Sequence, residues 1–214
     1  MARIITIAQQ KGGAGKTTLA AHLAVAWSRQ GRRVAAIDID PQRSLTHWGN
    51  LRGKDGRRMG FTLATTAGWR LGIETARLLA EHDVILVDSP PHAEAEARAA
   101  IRAAGLVVVP VQPSPMDVWA TKPTLDIARA EHRAVLLVLN RVAPRTKLAA
   151  EMSGRLDLNG VRLATTTLGN RVAFAASLAV GSGVTESDPG SPAAAEIAAL
   201  AAEIWDFDPA VPGG

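Results

Sequence analysis

The stretch Gln10-Lys11-Gly12-Gly13-Ala14-Gly15-Lys16-Thr17-Thr18 carries the residue types that hold a polyphosphate. Glycines let backbone N–H groups turn inward around phosphate oxygens with no Cβ in the way. A lysine supplies a point charge to the β- and γ-phosphates, and a threonine hydroxyl can ligate magnesium. Lys16 and Thr17 fill those two places. Three further polar positions end apolar runs: the pair Asp38 and Asp40, then Asp88, then Asn140. Two acids at a strand end are costly unless they meet a cation or water. Asp88 closes Val84-Ile85-Leu86-Val87 and would hold magnesium.

These residues need elements to place them. An apolar run over residues 4–8 enters the glycine loop, and Leu19, Leu23, Ala24, Ala26 and Trp27 follow at helical spacing. Strand, glycine turn and helix is the context a phosphate loop requires, and the helix opening at Lys16 adds the positive end of its dipole. Further strands are expected over residues 34–40, 61–65, 84–88, 106–109, 134–139 and 161–166. Pro110 and Pro113 are read as breaking the fifth. Helices are expected from Ser44 and over residues 70–81, 94–104, 146–157, 171–179 and 192–205. One more is expected to be capped by Asp117 and to run to about residue 131. Residues 52–60 read as a polar, basic loop. Alternating strands and helices imply an α/β fold: a doubly wound, mostly parallel sheet with helices on both faces. Ligands in such folds sit at the carboxyl ends of strands, so Asp40, Asp88 and Asn140 could converge on Lys16. One domain is expected over residues 1–206, with a poorly ordered tail over 207–214.

The chain has 214 residues, no cysteine and a net charge of +4. Disulfides and thiolate metal sites are therefore excluded. No apolar run is long enough for a bilayer, and the N-terminus enters a strand directly, so a cytoplasmic location is expected. The five histidines lack metal-ligand spacing. Charge is uneven: residues 1–171 hold 24 basic against 14 acidic residues, and only acids follow. A basic body can bind polyanions through phosphate contacts, or be ordinary solvated surface.

The loop departs from the usual pattern. Gln10 stands where a glycine is standard, and a second lysine, Lys11, stands beside it. This form resembles the deviant Walker A loop of the ParA/MinD superfamily. Pro110-Val111-Gln112-Pro113-Ser114-Pro115-Met116-Asp117-Val118-Trp119-Ala120 is similar to the corresponding loop of small ParF-type plasmid-partition ATPases, and that resemblance spans nearly the whole chain. It implies a P-loop ATPase using ATP and Mg2+, in which Lys11 reaches the phosphates held by the other subunit of a homodimer. Lys11, Lys16 and Asp40 would be catalytic, Asp40 orienting the attacking water. Lys11, Gly12, Gly13, Ala14, Gly15, Lys16, Thr17 and Thr18 would bind the nucleotide. Asn140 and Arg141 would meet adenine, although a plain turn asparagine is the rival reading. Pro113 and Asp117 would wall the base pocket and join the dimer face. Thr17, Asp40 and Asp88 would serve the metal. The resemblance further implies a dimer that binds non-specific DNA of the nucleoid or polymerises on it. Its candidate contacts are Arg141, Arg145, Lys147, Arg155, Arg162 and Arg171. A ParB-like or centromere-binding activator would speed slow hydrolysis, in plasmid or chromosome segregation. The alternative is a positioning ATPase for chemoreceptor clusters or another assembly, or a MinD-like membrane regulator. The last helix carries Glu196 and Glu203 and no basic residue, which argues against membrane binding.

Overall fold

The computed structural model describes residues 2–54, 59–144 and 161–208. Strands β1 (Arg3–Ile7), β2 (Val34–Asp38), β4 (Val84–Asp88), β5 (Leu106–Val111) and β6 (Val135–Leu139) are apolar almost throughout, as strands covered on both faces must be. β3 (Thr62–Thr65) and the two-residue β7 (Arg162–Leu163) are the partly exposed edges. The order is β3-β2-β4-β1-β5-β6-β7, and every pair is parallel.

Side chains alternate across this sheet with period two. Ala36, Leu86, Val108 and Leu136 enter one core with Leu19, Leu23 and Trp27 of α1 (Lys16–Arg29) and Ile197 and Leu200 of the last helix. Ala35, Ile37, Ile85 and Val87 face the other side, against Leu71 and Leu78 of α3 (Leu71–Leu79). Val107, Val109 and Leu137 continue that layer against Ile101 of α4 (Glu94–Ala103) and Ile127. The buried Trp27 indole N–H donates to the Ala201 carbonyl (3.2 Å), which ties α1 to the last helix.

Several expectations shift. β5 runs through Pro110, which stands opposite Val138 of β6. The Val107 N–H points to β6, while the Val108 carbonyl accepts from Ala8 on the β1 side. Alternation therefore turns the Pro110 nitrogen toward β1, beyond its last pair, Ile7 with Val108, where no strand needs a donor. The single helix expected to be capped by Asp117 is two, α5 (Pro115–Trp119) and α6 (Lys122–Ala130). Ser114 is the cap: its hydroxyl accepts from the Asp117 N–H (3.1 Å). The basic loop starts late, because α2 (Ser44–Lys54) continues through Arg52. Arg52 is 4% exposed and binds Glu186 through both terminal nitrogens (2.6 and 3.0 Å) and the Gly181 carbonyl (3.1 Å). Gly181 has φ +64°, and a Cβ there would lie 2.7 Å from the Arg52 backbone. The helix expected over residues 146–157 lies outside the described residues. α7 (Val172–Ala179), α8 (Val184–Ser187) and α9 (Pro192–Trp205) close the chain. Phe207, expected to open the tail, is buried against the core, with the Arg162 guanidinium 3.5 Å from its ring centre.

Candidate nucleotide site

β1 lies between β4 and β5, and the chain winds away from it in both directions. Such a reversal leaves a crevice at the strand ends, and the glycine loop fills it. Gly13 (φ +76°) and Gly15 (φ +96°) take left-handed backbone. Gly15 is constrained twice, since a Cβ would also lie 2.5 Å from the Asn140 amide nitrogen. α1 begins directly after it, so its free N–H groups and dipole point into the crevice.

The crevice opens into a cleft of about 540 Å³. Gly13, Gly15, Lys16, Thr17, Thr18 and Asp40 give its lining polar groups. Ala21, Trp48, Arg141 and Ala175, Leu178 and Ala179 of α7 line it as well. Phosphate-binding groups beside apolar surface suit a nucleotide. Lys16 is only 7% exposed, and burial lowers its pKa while Asp88 and Asp40 oppose the shift.

The register pairs Ile7 with Asp88 and Asp88 with Asp38, so two buried acids lie side by side at the strand ends. They are spent differently. Asp38 accepts from the Asp40 N–H (3.1 Å), the Thr46 N–H (2.9 Å) and the Thr46 hydroxyl (2.8 Å). It braces the turn into α2. Asp88 accepts only from the Thr17 hydroxyl (2.7 Å), and its buried Oδ1 has no partner. Burial, helped by Asp38 and Asp40, pushes its pKa to about 7, against the Thr17 bond and Lys16. A buried carboxylate oxygen left open beside a threonine hydroxyl fits a magnesium ion. Among the described residues no group of three His, Cys, Asp or Glu could hold a metal. Magnesium here would take its remaining ligands from phosphate and water, as it commonly does. Asp40 follows the strand end, so strict alternation no longer applies to it. It lines the cleft, and its Oδ1 accepts from the Gln42 N–H (2.9 Å).

Other expected residues lie around this centre. The Asn140 amide donates to the Ala14 carbonyl (2.8 Å), and its oxygen accepts from the Arg141 N–H (2.9 Å). In this arrangement it braces the glycine loop. Arg141 adopts φ +55°, Arg43 and His92 +54°, and His132, in the turn between α6 and β6, +53°. Left-handed backbone is uncommon for such residues. Arg43 follows Asp40, and His92 follows the end of β4, its N–H on the Gln10 carbonyl (3.1 Å). Lys11 does not enter the cleft: its ammonium meets Asp117 Oδ1 at 2.6 Å. Neither Asp117 nor Pro113 lines the cleft. Behind the site, buried His22 accepts the Val184 N–H on Nδ1 (3.1 Å), and burial pushes its pKa down to about 4.

Thr46, Trp48 and Leu178 had no assigned role in the sequence. Leu178 packs against the core and also lines the cleft, in a helix, residues 172–179, that carries no charge. Of the candidate DNA contacts, Arg171 is paired to Glu196 (2.6 Å), and Arg162 binds the Asp208 carbonyl. Arg145, Lys147 and Arg155 lie outside the described residues.

Comparison with known proteins agrees with this geometry. The model of the CobQ/CobB/MinD/ParA nucleotide binding domain matches residues 5–184. "Maintenance of carboxysome distribution protein A" of Halothiobacillus neapolitanus is 27% identical over 177 residues, covering 79% of this chain and 81% of that protein. Its namesake in Gloeobacter kilaueensis is 36% identical over 152 residues, covering 67% and 65%. The septum site-determining protein MinD of Pyrococcus horikoshii, solved with Mg-ADP, superposes with TM-score 0.81 at 22% identity over 95% of this chain and 96% of that one.

Proposed function

The chain belongs to the CobQ/CobB/MinD/ParA nucleotide-binding family, P-loop ATPases that take ATP with magnesium, and from that premise we propose that it is a positioning ATPase that distributes a large protein assembly. The observation supporting this reading is the division of labour between two lysines. Lys16 is buried in the chain's own cleft, whereas Lys11 faces out of it and is held by one ion pair. A phosphate ligand aimed away from its own site suits a site completed by a second copy. ATP then closes a homodimer, in which each Lys11 leaves Asp117 for the other subunit's phosphates. Thr17 and Asp88 would hold magnesium, which would neutralise phosphate charge. Asp40, which lines the cleft, orients the water that attacks the γ-phosphorus, and loss of phosphate ends the pairing.

Likeness to carboxysome-distribution proteins supports a protein assembly as cargo. The basic balance of residues 1–171 supports DNA as the track of the paired form, with a cargo-bound activator stimulating turnover. The same charge favours a second reading, segregation of a DNA molecule with a ParB-like partner, as in ParF-type systems. Membrane attachment is not part of either. Glu196 and Glu203 of α9 accept backbone N–H groups at Gly169 and at Thr165 and Thr166, and no described helix is long and apolar enough to cross a membrane.

Sedimentation with ATP and magnesium, with ADP and without nucleotide, each with and without DNA, tests the proposal. A dimer that binds DNA only in the ATP state is expected. A single species in all three states overturns it. Imaging the labelled chain in cells separates the two cargoes, by whether it co-localises with a protein assembly or with a replicon.

A further inference from the structure

One buried titratable side chain has no part in the nucleotide chemistry. His22 stands four residues after Thr18 in α1, so the two share a face of the helix, and it is 1% exposed. Its Nδ1 accepts from the N–H of Val184, the first residue of α8. A neutral ring whose Nδ1 accepts carries its proton on Nε2. That Nε2 is buried and has no hydrogen-bond partner among the described residues. The Phe174 carbonyl favours the protonated ring without bonding to Nε2, and it already accepts from the Ser177 hydroxyl (3.1 Å). Beside the ring lies a cavity of about 20 Å³, whose lining includes Gly15, Thr18, His22 and Asn140 together with Leu168 and Phe174.

We propose that this cavity is a binding site for one structural water, which accepts from His22 Nε2–H and bridges it to the Thr18 hydroxyl and to Asn140 Oδ1. A buried water needs roughly 10–15 Å³ and two to four polar partners, and the cavity and its lining meet both. The partners have capacity left. Asn140 Oδ1 accepts from the Arg141 N–H and keeps a second lone pair, and a hydroxyl can donate or accept. The chemistry selects a neutral guest. The Nε2–H hydrogen repels a cation, no carboxylate lines the cavity, and a larger molecule exceeds its volume. Both bridged groups belong to the nucleotide site. Thr18 lines this cavity and the nucleotide cleft alike, and the Asn140 amide supports the Ala14 carbonyl of the glycine loop. The water thus joins the loop to His22, and through Val184 to α8, whose Glu186 holds Arg52. His22 is therefore a positioning residue: it acts on the nucleotide through Thr18 and Asn140. The inference concerns the single chain and is independent of cargo and pairing.

Two measurements on the full chain decide the matter. A high-resolution crystal structure should show an ordered water about 2.7–3.2 Å from His22 Nε2, and nuclear magnetic resonance of the nitrogen-15-labelled chain should show Nε2–H in contact with a long-lived water. A dry cavity, or an Nε2–H without such contact, overturns the site, and neither readout needs a variant to fold. The positioning role is read from two substitutions. His22→Asn keeps an acceptor near the place of Nδ1 but ends short of the cavity. His22→Gln reaches the cavity with an amide N–H and gives up the Val184 contact. Affinity for ATP with magnesium at high dilution should fall about fivefold in His22→Asn, the loss of one ordinary hydrogen bond. It should stay within about twofold of wild type in His22→Gln. A merely structural role moves affinity with folding stability, measured by urea unfolding, and gives His22→Gln no advantage. Wild-type affinity in His22→Asn, or equal losses in both variants, overturns the positioning role.

Discussion

Lys11 and Lys16 belong to one loop and live in opposite surroundings. Lys16 opens α1 and is buried, with the Asp88 and Asp40 charges opposing the fall in its pKa. Lys11 keeps more than a third of its side chain in solvent and pairs with Asp117 of a five-residue helix whose largest side chains are exposed. The buried end is complete within one chain, with a hydroxyl, a carboxylate and loop N–H groups already converging. The exposed end holds a charge and an apolar face with little to act on nearby. On the proposed reading, the difference separates chemistry at one end from association at the other.

The contrast can be broken by exchanging the roles of the two lysines. Lys16→Ala should lower nucleotide affinity roughly a thousandfold, the loss of two charge-assisted phosphate bonds in a buried site. Lys11→Ala should leave the affinity of the single chain within about threefold and abolish pairing. Titration with a fluorescent ATP analogue measures the first, sedimentation the second. Equal losses of affinity from both variants would erase the distinction.

The buried end should also answer to pH through His22. Its folded-state value of about 4 lies below its ordinary value of 6.5. The unfolded chain therefore binds the extra proton first as pH falls. The contribution is full above pH 6.5 and is lost between about 6.5 and 4, on the order of 3 kcal/mol. Asp88 has the opposite slope: raised to about 7, it favours the folded chain at low pH and loses that contribution as pH rises through 7 without magnesium. Urea unfolding of wild type against His22→Asn, without magnesium, cancels the Asp88 contribution. A wild-type stability that falls no faster than the variant's below pH 6.5 would contradict the assignment.

The smallest effect belongs to the exposed end. The Lys11–Asp117 pair is solvent-screened, so it contributes little to folding. On the proposed reading it competes with pairing, and Asp117→Asn should tighten the ATP-dependent dimer about two- to fivefold. An unchanged or weaker dimer, with α5 intact by hydrogen exchange, would show that the ion pair does not hold Lys11 back.

The strands, their parallel arrangement and the glycine loop were legible because they are local. Apolar runs with turn residues at their ends specify buried parallel strands, and the loop spacing specifies its own conformation. What the sequence hid depends on register and on contacts between distant elements. Asp38 and Asp88 look alike at strand ends. Only their adjacency across β2 and β4, with Thr46 folded back onto one and Thr17 onto the other, separates a braced acid from one with an open oxygen. Asn140 follows a buried strand, where the family resemblance implies a base contact, and what the sequence hid is that its amide donates to the Ala14 carbonyl. Pro110 reads as a strand breaker until the end of β1 shows that no donor is needed there. Arg52 reads as loop charge, because its partner lies beyond residue 180.

That last contact has a mechanical consequence. Arg52 clamps the far end of α2 to the turn between α7 and α8, and Gly181 leaves no clearance for slippage. Trp48 of α2 and Ala175, Leu178 and Ala179 of α7 both line the cleft. The two lining elements are therefore tied together at a point remote from the phosphate loop.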